Sequence, residues 1–264
     1  MSLARAELES LLRNRQLDRT LTTALPGTGL PGTGFDLNNG RNLSPTVVAP
    51  TDIAPLDAFM GGGLPRGQIS ELVGPRSSGR TSLTLQMLAS ATARGELVAL
   101  VDALDMLDVE SAAAAGIDLD RLLWVRGHVV SNPGLCRDMN QRALEQTLRA
   151  LALVLQAGNF GLVVFDVAEA PSDALRRLPF TTWLRLQRMV EGSQTTCVLV
   201  GSETMARSSA GLTLRLGMRD LGLGIRFQSR LFDGLSVQAR VVRARARAHE
   251  EATVALTTVA THCA

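Results

Sequence analysis

The chain has 264 residues, 45% of them hydrophobic and 3% aromatic with no tyrosine, which is enough apolar material for a sizeable core in one or two domains. A net charge of +2 does not mark a nucleic-acid binder by bulk charge, but all 27 basic residues are arginine, so no lysine from elsewhere can serve a phosphate site. Three widely separated cysteines fall in no metal-ligand spacing, the first residues are too charged for a signal peptide, and no apolar run nears the ~20 residues of a membrane span; a soluble cytoplasmic protein with no membrane partner is expected.

In chain order, residues 3–20 carry a helical stripe of Ala4, Leu8, Leu11 and Leu12, with Glu9 four residues before Arg13. So short a stripe does not stand alone in water, so it docks on its own domain or on a partner. The tandem repeat LPGTGLPGTG (Leu25–Gly34) breaks helix and strand alike. The chain thus divides into an N-terminal helix (1–21), a Pro/Gly/Thr-rich flexible linker (22–52) and one domain (53–264).

Within that domain QISELVG (Gln68–Gly74) reads as a strand and Thr81–Ala93 as a helix closed by Gly95. LVALVD (Leu97–Asp102) is a buried strand, VESAAAA a short helix stopped by Gly116, and LLWVRG (Leu122–Gly127) another strand. Residues 138–157 form a long helix with Leu144, Leu148, Leu151 and Leu155 on one stripe. The strand GLVVFD (Gly161–Asp166), a helix over Thr181–Glu191 and the strand CVLVG (Cys197–Gly201) follow. After Gly211 only strands remain: LTLRL, IRFQSR, LSVQARVVRARAR and EATVALTT. This order predicts an α/β fold, a mostly parallel sheet with helices on both faces, finished by C-terminal antiparallel strands.

Between the first strand and its helix lies VGPRSSGRTSL (Val73–Leu83). Gly74, four residues, Gly79, a cation and a hydroxyl have the spacing of a phosphate-binding P-loop. Such a loop aims backbone N–H groups at phosphate oxygens from a helix N-terminus. The candidate nucleotide-binding residues are therefore Gly74, Pro75, Arg76, Ser77, Ser78, Gly79, Arg80, Thr81 and Ser82, joined by Asp166 at the end of a later strand. Thr81 and Asp166 are the candidate groups for Mg²⁺ carried in with the nucleotide. The bland alternative is a Gly-rich turn without a ligand; the strand–loop–helix order and the Asp-ended strand favour the nucleotide. Arg80 stands where lysine is usual. It keeps the charge, but its fork is longer and wider than an ammonium, which predicts weak binding of ATP with Mg²⁺.

The stretch Leu56–Asp108 (LDAFMGGGLPRGQISELVGPRSSGRTSL…DMLD) and its continuation Ala112–Gly127 resemble the RecA recombinase core, with motifs in order over roughly 53–258. Within that superfamily AAGIDLDRLLWVRG and ALRRLPFTTWLRLQRMVE (Ala174–Glu191) are most similar to the ImuA-type DNA-damage and mutagenesis accessory proteins. The resemblance implies a RecA-like P-loop core, contact with single-stranded DNA through two loops, and head-to-tail self-assembly. It places the water-activating glutamate on Leu104, with Asp105 one residue late on a strand end where the side chain would turn away. It places the γ-phosphate-sensing glutamine on Glu203. With Arg80 and Glu203 both departing from the pattern, no catalytic residue is assigned and at most a weak ATPase is expected.

The two DNA loops implied by the resemblance carry Arg176, Arg177 and Phe180, and Met205 and Arg207. Arginines there would neutralise phosphates without reading sequence. Arg185 and Arg188 either extend the patch or form an ordinary solvated helix face, while Trp183 falls on the helix's inner stripe with Leu186 and Val190. Near the C-terminus Arg243, Arg245 and Arg247 alternate along one strand; the resemblance implies that Arg243 and Arg245 reach a neighbour's nucleotide, and the bland alternative is protection of an edge by charge.

The expected function is an accessory scaffold in DNA repair and damage-induced (SOS) translesion synthesis. The implied partners are a Y-family polymerase homologue, an error-prone replicative polymerase and RecA itself. The alternatives are an active DNA-dependent ATPase or recombinase paralogue, and a damage-induced cell-division inhibitor.

Overall fold

The computed structural model describes residues 47–129, 137–218, 234–244 and 253–259. The expected N-terminal helix and the expected strand at 225–230 lie outside these residues. The described chain opens with a small two-stranded sheet, in which β1 (Val48–Ala49) pairs antiparallel with β2 (Leu64–Pro65) around helix α1 (Ala54–Met60). Thr51 ties this unit down, its backbone N–H and hydroxyl both donating to the Asp57 carboxylate at 2.9 and 2.8 Å. Residues 47–52, assigned to the linker on composition, therefore belong to the fold: two ladder contacts and a buried threonine outweigh the local Pro content.

The main sheet is built from β3 (Ile69–Val73), β4 (Val98–Asp102), β5 (Leu122–Arg126), β6 (Leu162–Asp166), β7 (Thr196–Gly201), β8 (Ala210–Met218), β9 (Gly234–Ala244) and β10 (Thr253–Val259). Its strands run in the order β10-β9-β8-β3-β7-β6-β4-β5. Every pairing from β8 across to β5 is parallel, while β8–β9 and β9–β10 are antiparallel. The LTLRL segment thus joins the parallel block as β8, and the antiparallel ending begins one strand later than the residue pattern alone suggested.

The continuous apolar runs follow from burial on both faces. Ala99, Val101, Val163, Phe165, Cys197 and Leu199 point to one side, where α4 (Arg137–Ala157) and α6 (Phe180–Val190) supply Leu144, Leu151, Trp183 and Leu186. Their strand neighbours Val98, Leu100, Leu162, Val164, Val198 and Val200 point to the other, against α1 and α2 (Arg80–Ala93) through Leu56, Leu83, Met87 and Leu88. The leucine stripe expected on the long helix, Leu144, Leu148, Leu151 and Leu155, is buried along its length. Two short helices, α3 (Val109–Ala114) and α5 (Ser172–Arg176), complete the connections. Among the described residues no helix is long and apolar enough to cross a membrane.

One buried charge organises the carboxyl edge of the sheet. Glu71, in the middle of β3 and 2% exposed, accepts the backbone N–H groups of Met205 and Ala206 at 2.7 Å each on one oxygen. Its other oxygen accepts the Thr213 hydroxyl at 2.9 Å. The loop after β7 is thereby fastened to the strand that feeds the glycine-rich loop. A buried carboxylate persists only with such donors, and removing it orphans two amides. Glu71→Ala is expected to lower unfolding stability by about 3 kcal/mol, and Glu71→Gln, which keeps an acceptor for both amides, by about 1 kcal/mol. Urea unfolding of the two variants checks the ranking, and amide exchange at Met205 and Ala206 should quicken in the alanine variant.

Candidate nucleotide-binding site

The site lies at the carboxyl ends of the parallel strands, where open α/β sheets form their ligand crevice. β3 ends at Val73 and the chain turns at Gly74, where a Cβ would stand 2.5 Å from the Leu216 carbonyl oxygen and 2.6 Å from the Ser78 hydroxyl; only glycine fits. Ser77 and Gly79 both take left-handed backbone conformations, φ +58° and +86°. Gly79 begins α2, and no side chain caps that helix. The N–H groups of its first turn therefore have no intrahelical or side-chain acceptor, the condition under which a helix N-terminus receives an anion.

Around this cradle lies a cavity of about 440 Å³, within the usual size range for small-molecule sites. Of the predicted loop residues, Arg76, Arg80, Thr81 and Ser82 line it, and so does Asp166 from the end of β6. Pro75 and Ser77 are exposed on the loop's outer side, and Ser78 is buried beneath it with its hydroxyl unpartnered. Arg80 is only 6% exposed. One terminal nitrogen, Nη2, donates to Glu169 at 3.1 Å; the other, Nη1, is buried with no partner. Arg76 reaches the other oxygen of the same carboxylate at 2.9 Å. Glu169 went unpredicted, although the sequence held one signal for it: an acid three residues beyond the Asp-ended strand, in a chain whose P-loop cation needed a counter-charge.

Two carboxylates lie side by side in the cavity wall. Asp102 ends β4 and is in register with Asp166 on β6. Asp102 accepts the N–H groups of Met106 and Leu107 at 2.7 and 2.8 Å, which folds the following turn over the cavity edge. Asp108 caps α3 through Ser111, as expected of an aspartate at a helix start. Leu104 lines the cavity where the resemblance called for a glutamate. Asp105 turns away and forms a forked pair with Arg126 at 2.6 and 2.7 Å, which holds its carboxyl below the usual range. Glu203 does not reach the phosphate cavity: it is exposed and pairs with Arg176 at 3.3 Å. The loop held by Glu71 thus carries Glu203, the position that the resemblance matches to the γ-phosphate-sensing glutamine, toward Arg176 on α5.

These features fit a nucleotide carried with its metal. The orphaned Nη1 of Arg80, the uncapped first turn and the glycine that no Cβ can replace all suit an anion, and the Thr81 hydroxyl and Asp166 suit its cation. Among the described residues no cluster of three or more His, Cys, Asp or Glu side chains could hold a metal alone.

The sequence profile of the RecA N-terminal domain matches residues 36–174, more than half of the chain. The chain belongs to the RecA N-terminal domain family. It is 41% identical over 128 residues to Protein RecA of Clavibacter michiganensis, spanning 48% of this chain and 32% of that relative. It is 39% identical over 131 residues to Protein RecA of Streptomyces ambofaciens, spanning 49% and 32%. The matched part is therefore about a third of the length of these curated RecA proteins. In fold, the chain is similar to the crystal structure of the RadB recombinase, with a TM-score of 0.56 at 19% identity over 79% of this chain and 94% of that one.

On this RecA fold the arginines expected to meet DNA lie on the helices and loops that follow β6 and β7. Arg176, Arg177, Arg185, Arg188 and Arg207 are all exposed. Arg176 and Arg207 border a cavity of about 80 Å³ between the two loops, together with Leu175, Phe180, Glu203 and Met205. Trp183 is 2% exposed within the core, as its spacing indicated, so it offers no free face for a base. Arg243, on β9, donates through Nη1 to the Arg207 carbonyl oxygen, and lies beyond the stretch that β10 covers. Arg245 lies outside the described residues.

Burial pushes the Asp166 carboxyl up to about 6, with Asp102 and Glu169 adding to the rise and the Ala168 amide and Arg80 opposing it. The folded protein thus holds a proton there that the unfolded chain releases near pH 4, and stability falls as pH rises from about 4 through 6. Asp166→Asn keeps the acceptor for the Ala168 amide and removes the buried charge. Its expected gain is on the order of 2 kcal/mol above pH 6.5, shrinking toward zero near pH 4. Denaturant unfolding of parent and variant across that range measures the gap, which should open with rising pH.

Proposed function

We propose that this RecA-family chain is an accessory scaffold in DNA repair that binds Mg-ATP weakly, turns it over slowly, and serves damage-induced translesion synthesis. The observation that carries the reading is the combination within one cavity: a phosphate cradle with sound backbone geometry, whose single buried cation, Arg80, is engaged by Glu169, and whose wall presents Leu104. Phosphoryl transfer is driven by positioning and by charge stabilisation. A guanidinium held by a carboxylate and a leucine in the cavity wall supply neither well. The nucleotide supplies the polyphosphate and its Mg²⁺; the chain's backbone N–H groups from Arg76 to Ser82 would orient the phosphates, with Thr81 and Asp166 on the metal side.

Weak binding of single-stranded DNA through Arg176, Arg177, Arg185, Arg188 and Arg207 belongs to the same proposal, supported by their common exposure near the two loops. Such binding should weaken steeply with salt. Head-to-tail self-association, with Arg243 and Arg245 near a neighbour's nucleotide, and partnership with a Y-family polymerase homologue, an error-prone replicative polymerase and RecA rest on the sequence resemblance. A second reading, a working DNA-dependent ATPase, draws on the 41% identity to a RecA protein across the matched region.

Turnover separates the two. The parent protein with saturating Mg-ATP and single-stranded DNA should stay well below the ~1 s⁻¹ lower end of ordinary enzyme rates. Arg80→Lys with Leu104→Glu should raise turnover roughly 100-fold, more than the two single changes combined. Rapid DNA-stimulated hydrolysis by the parent would establish the ATPase reading instead.

A further inference from the structure

Glu169 pairs with the cations of the phosphate cradle itself. It sits on the loop after β6, half-buried at 27% exposure, and its two oxygens engage two different arginines of the phosphate cradle. Arg76 comes from the glycine-rich loop itself and Arg80 from the first turn of α2, so the carboxylate bridges the mouth of the cradle. The Arg76 side chain is 82% exposed, whereas that of Arg80 is almost wholly buried. The cavity is lined by two guanidinium groups, Arg76 and Arg80, and four carboxylates, Asp102, Asp108, Asp166 and Glu169. A second orphan sits alongside: the Thr84 hydroxyl, buried and unpartnered, also lines the cavity.

A carboxylate and a phosphate oxygen present the same thing to a guanidinium: a delocalised anion that takes charge-assisted N–H donors. We infer that Glu169 is a built-in competitor for the nucleotide's phosphate, clamping Arg80 and Arg76 in the nucleotide-free protein and yielding them only when a phosphate takes its place. Exchange of one anion for the other leaves Arg80 paired throughout, so the buried cation is never stranded. It also sets the affinity low, because each binding event must first open the Glu169 clamp. Repulsion between Glu169 and the arriving phosphate adds to that cost at short range. The inference rests on reading the cavity as a nucleotide site and specifies what limits binding there. Weak affinity, in this account, comes from the clamp as well as from the shape of arginine.

Titration of the full chain with Mg-ATP, inorganic pyrophosphate and adenosine, in the parent and in Glu169→Gln, tests it. Glutamine keeps the size of the side chain and removes the charge. The expected result is binding of Mg-ATP and of pyrophosphate tightened by about tenfold, equivalent to about 1.4 kcal/mol, with no gain for adenosine. Without ligand the Gln variant should melt lower than the parent, because Arg80 loses its counter-charge, yet show the larger ligand-induced rise in melting temperature. Arg76→Ala opens one side of the clamp only and should give a smaller gain. Equal or weaker Mg-ATP binding by Glu169→Gln, with the parent binding measurably, overturns the competitor role and leaves the nucleotide reading standing. An equal gain for adenosine also overturns it, since the cavity would merely have loosened. Absence of binding by both folded proteins overturns the nucleotide reading and the inference together.

Discussion

The ion pair between Arg80 and Glu169 joins the first turn of α2 to the loop after β6, and the arrangement of the site depends on it. A guanidinium 6% exposed at the head of a helix cannot sit there unpaired. The helix N-terminus is itself positive, which sharpens the need for an anion. Glu169 meets that need from within the chain. The consequence is a cradle whose backbone is ready for phosphate and whose side-chain charge is already satisfied.

The sheet makes this possible by delivering its parts to one edge. β3, β4 and β6 end within one residue of the same level, so Asp102, Asp166 and the glycine-rich loop after Val73 open onto one crevice. Glu71 fastens the loop after β7 to β3 from below, through two amides and a threonine hydroxyl. The phosphate loop and the second loop are therefore anchored on the same strand. Any ligand that shifts one of them acts on a framework shared with the other.

Much of this was legible in the residues, for reasons that differ by element. Strands buried on both faces read as unbroken apolar runs, and helices show their inner stripe, so Leu144 through Leu155 and the Trp183 face were visible in advance. The phosphate loop was visible because glycine placement reflects a backbone need, met here at Gly74 and Gly79. What could not be read was partnership across the fold. The counter-ion of Arg80 lies 89 positions along the chain, and the acceptor of the Met205 amide 134. Spacing rules carry no information at that separation. The direction of Glu203 is likewise set across the fold, by the loop that Glu71 fastens. The strand at Val48–Ala49 was masked by local proline and became visible only with its partner Leu64–Pro65.

The scaffold role requires that the loop from Gly74 to Ser82 still receives phosphate. Backbone amide chemical shifts of the ¹⁵N-labelled protein, followed while Mg-ADP is added, address that point without relying on turnover. Shifts concentrated at Arg76 to Ser82, with Ala168 and Glu169 moving as the clamp opens, are predicted. Unchanged shifts in that loop at saturating nucleotide, or changes confined to a different part of the molecule, would contradict it.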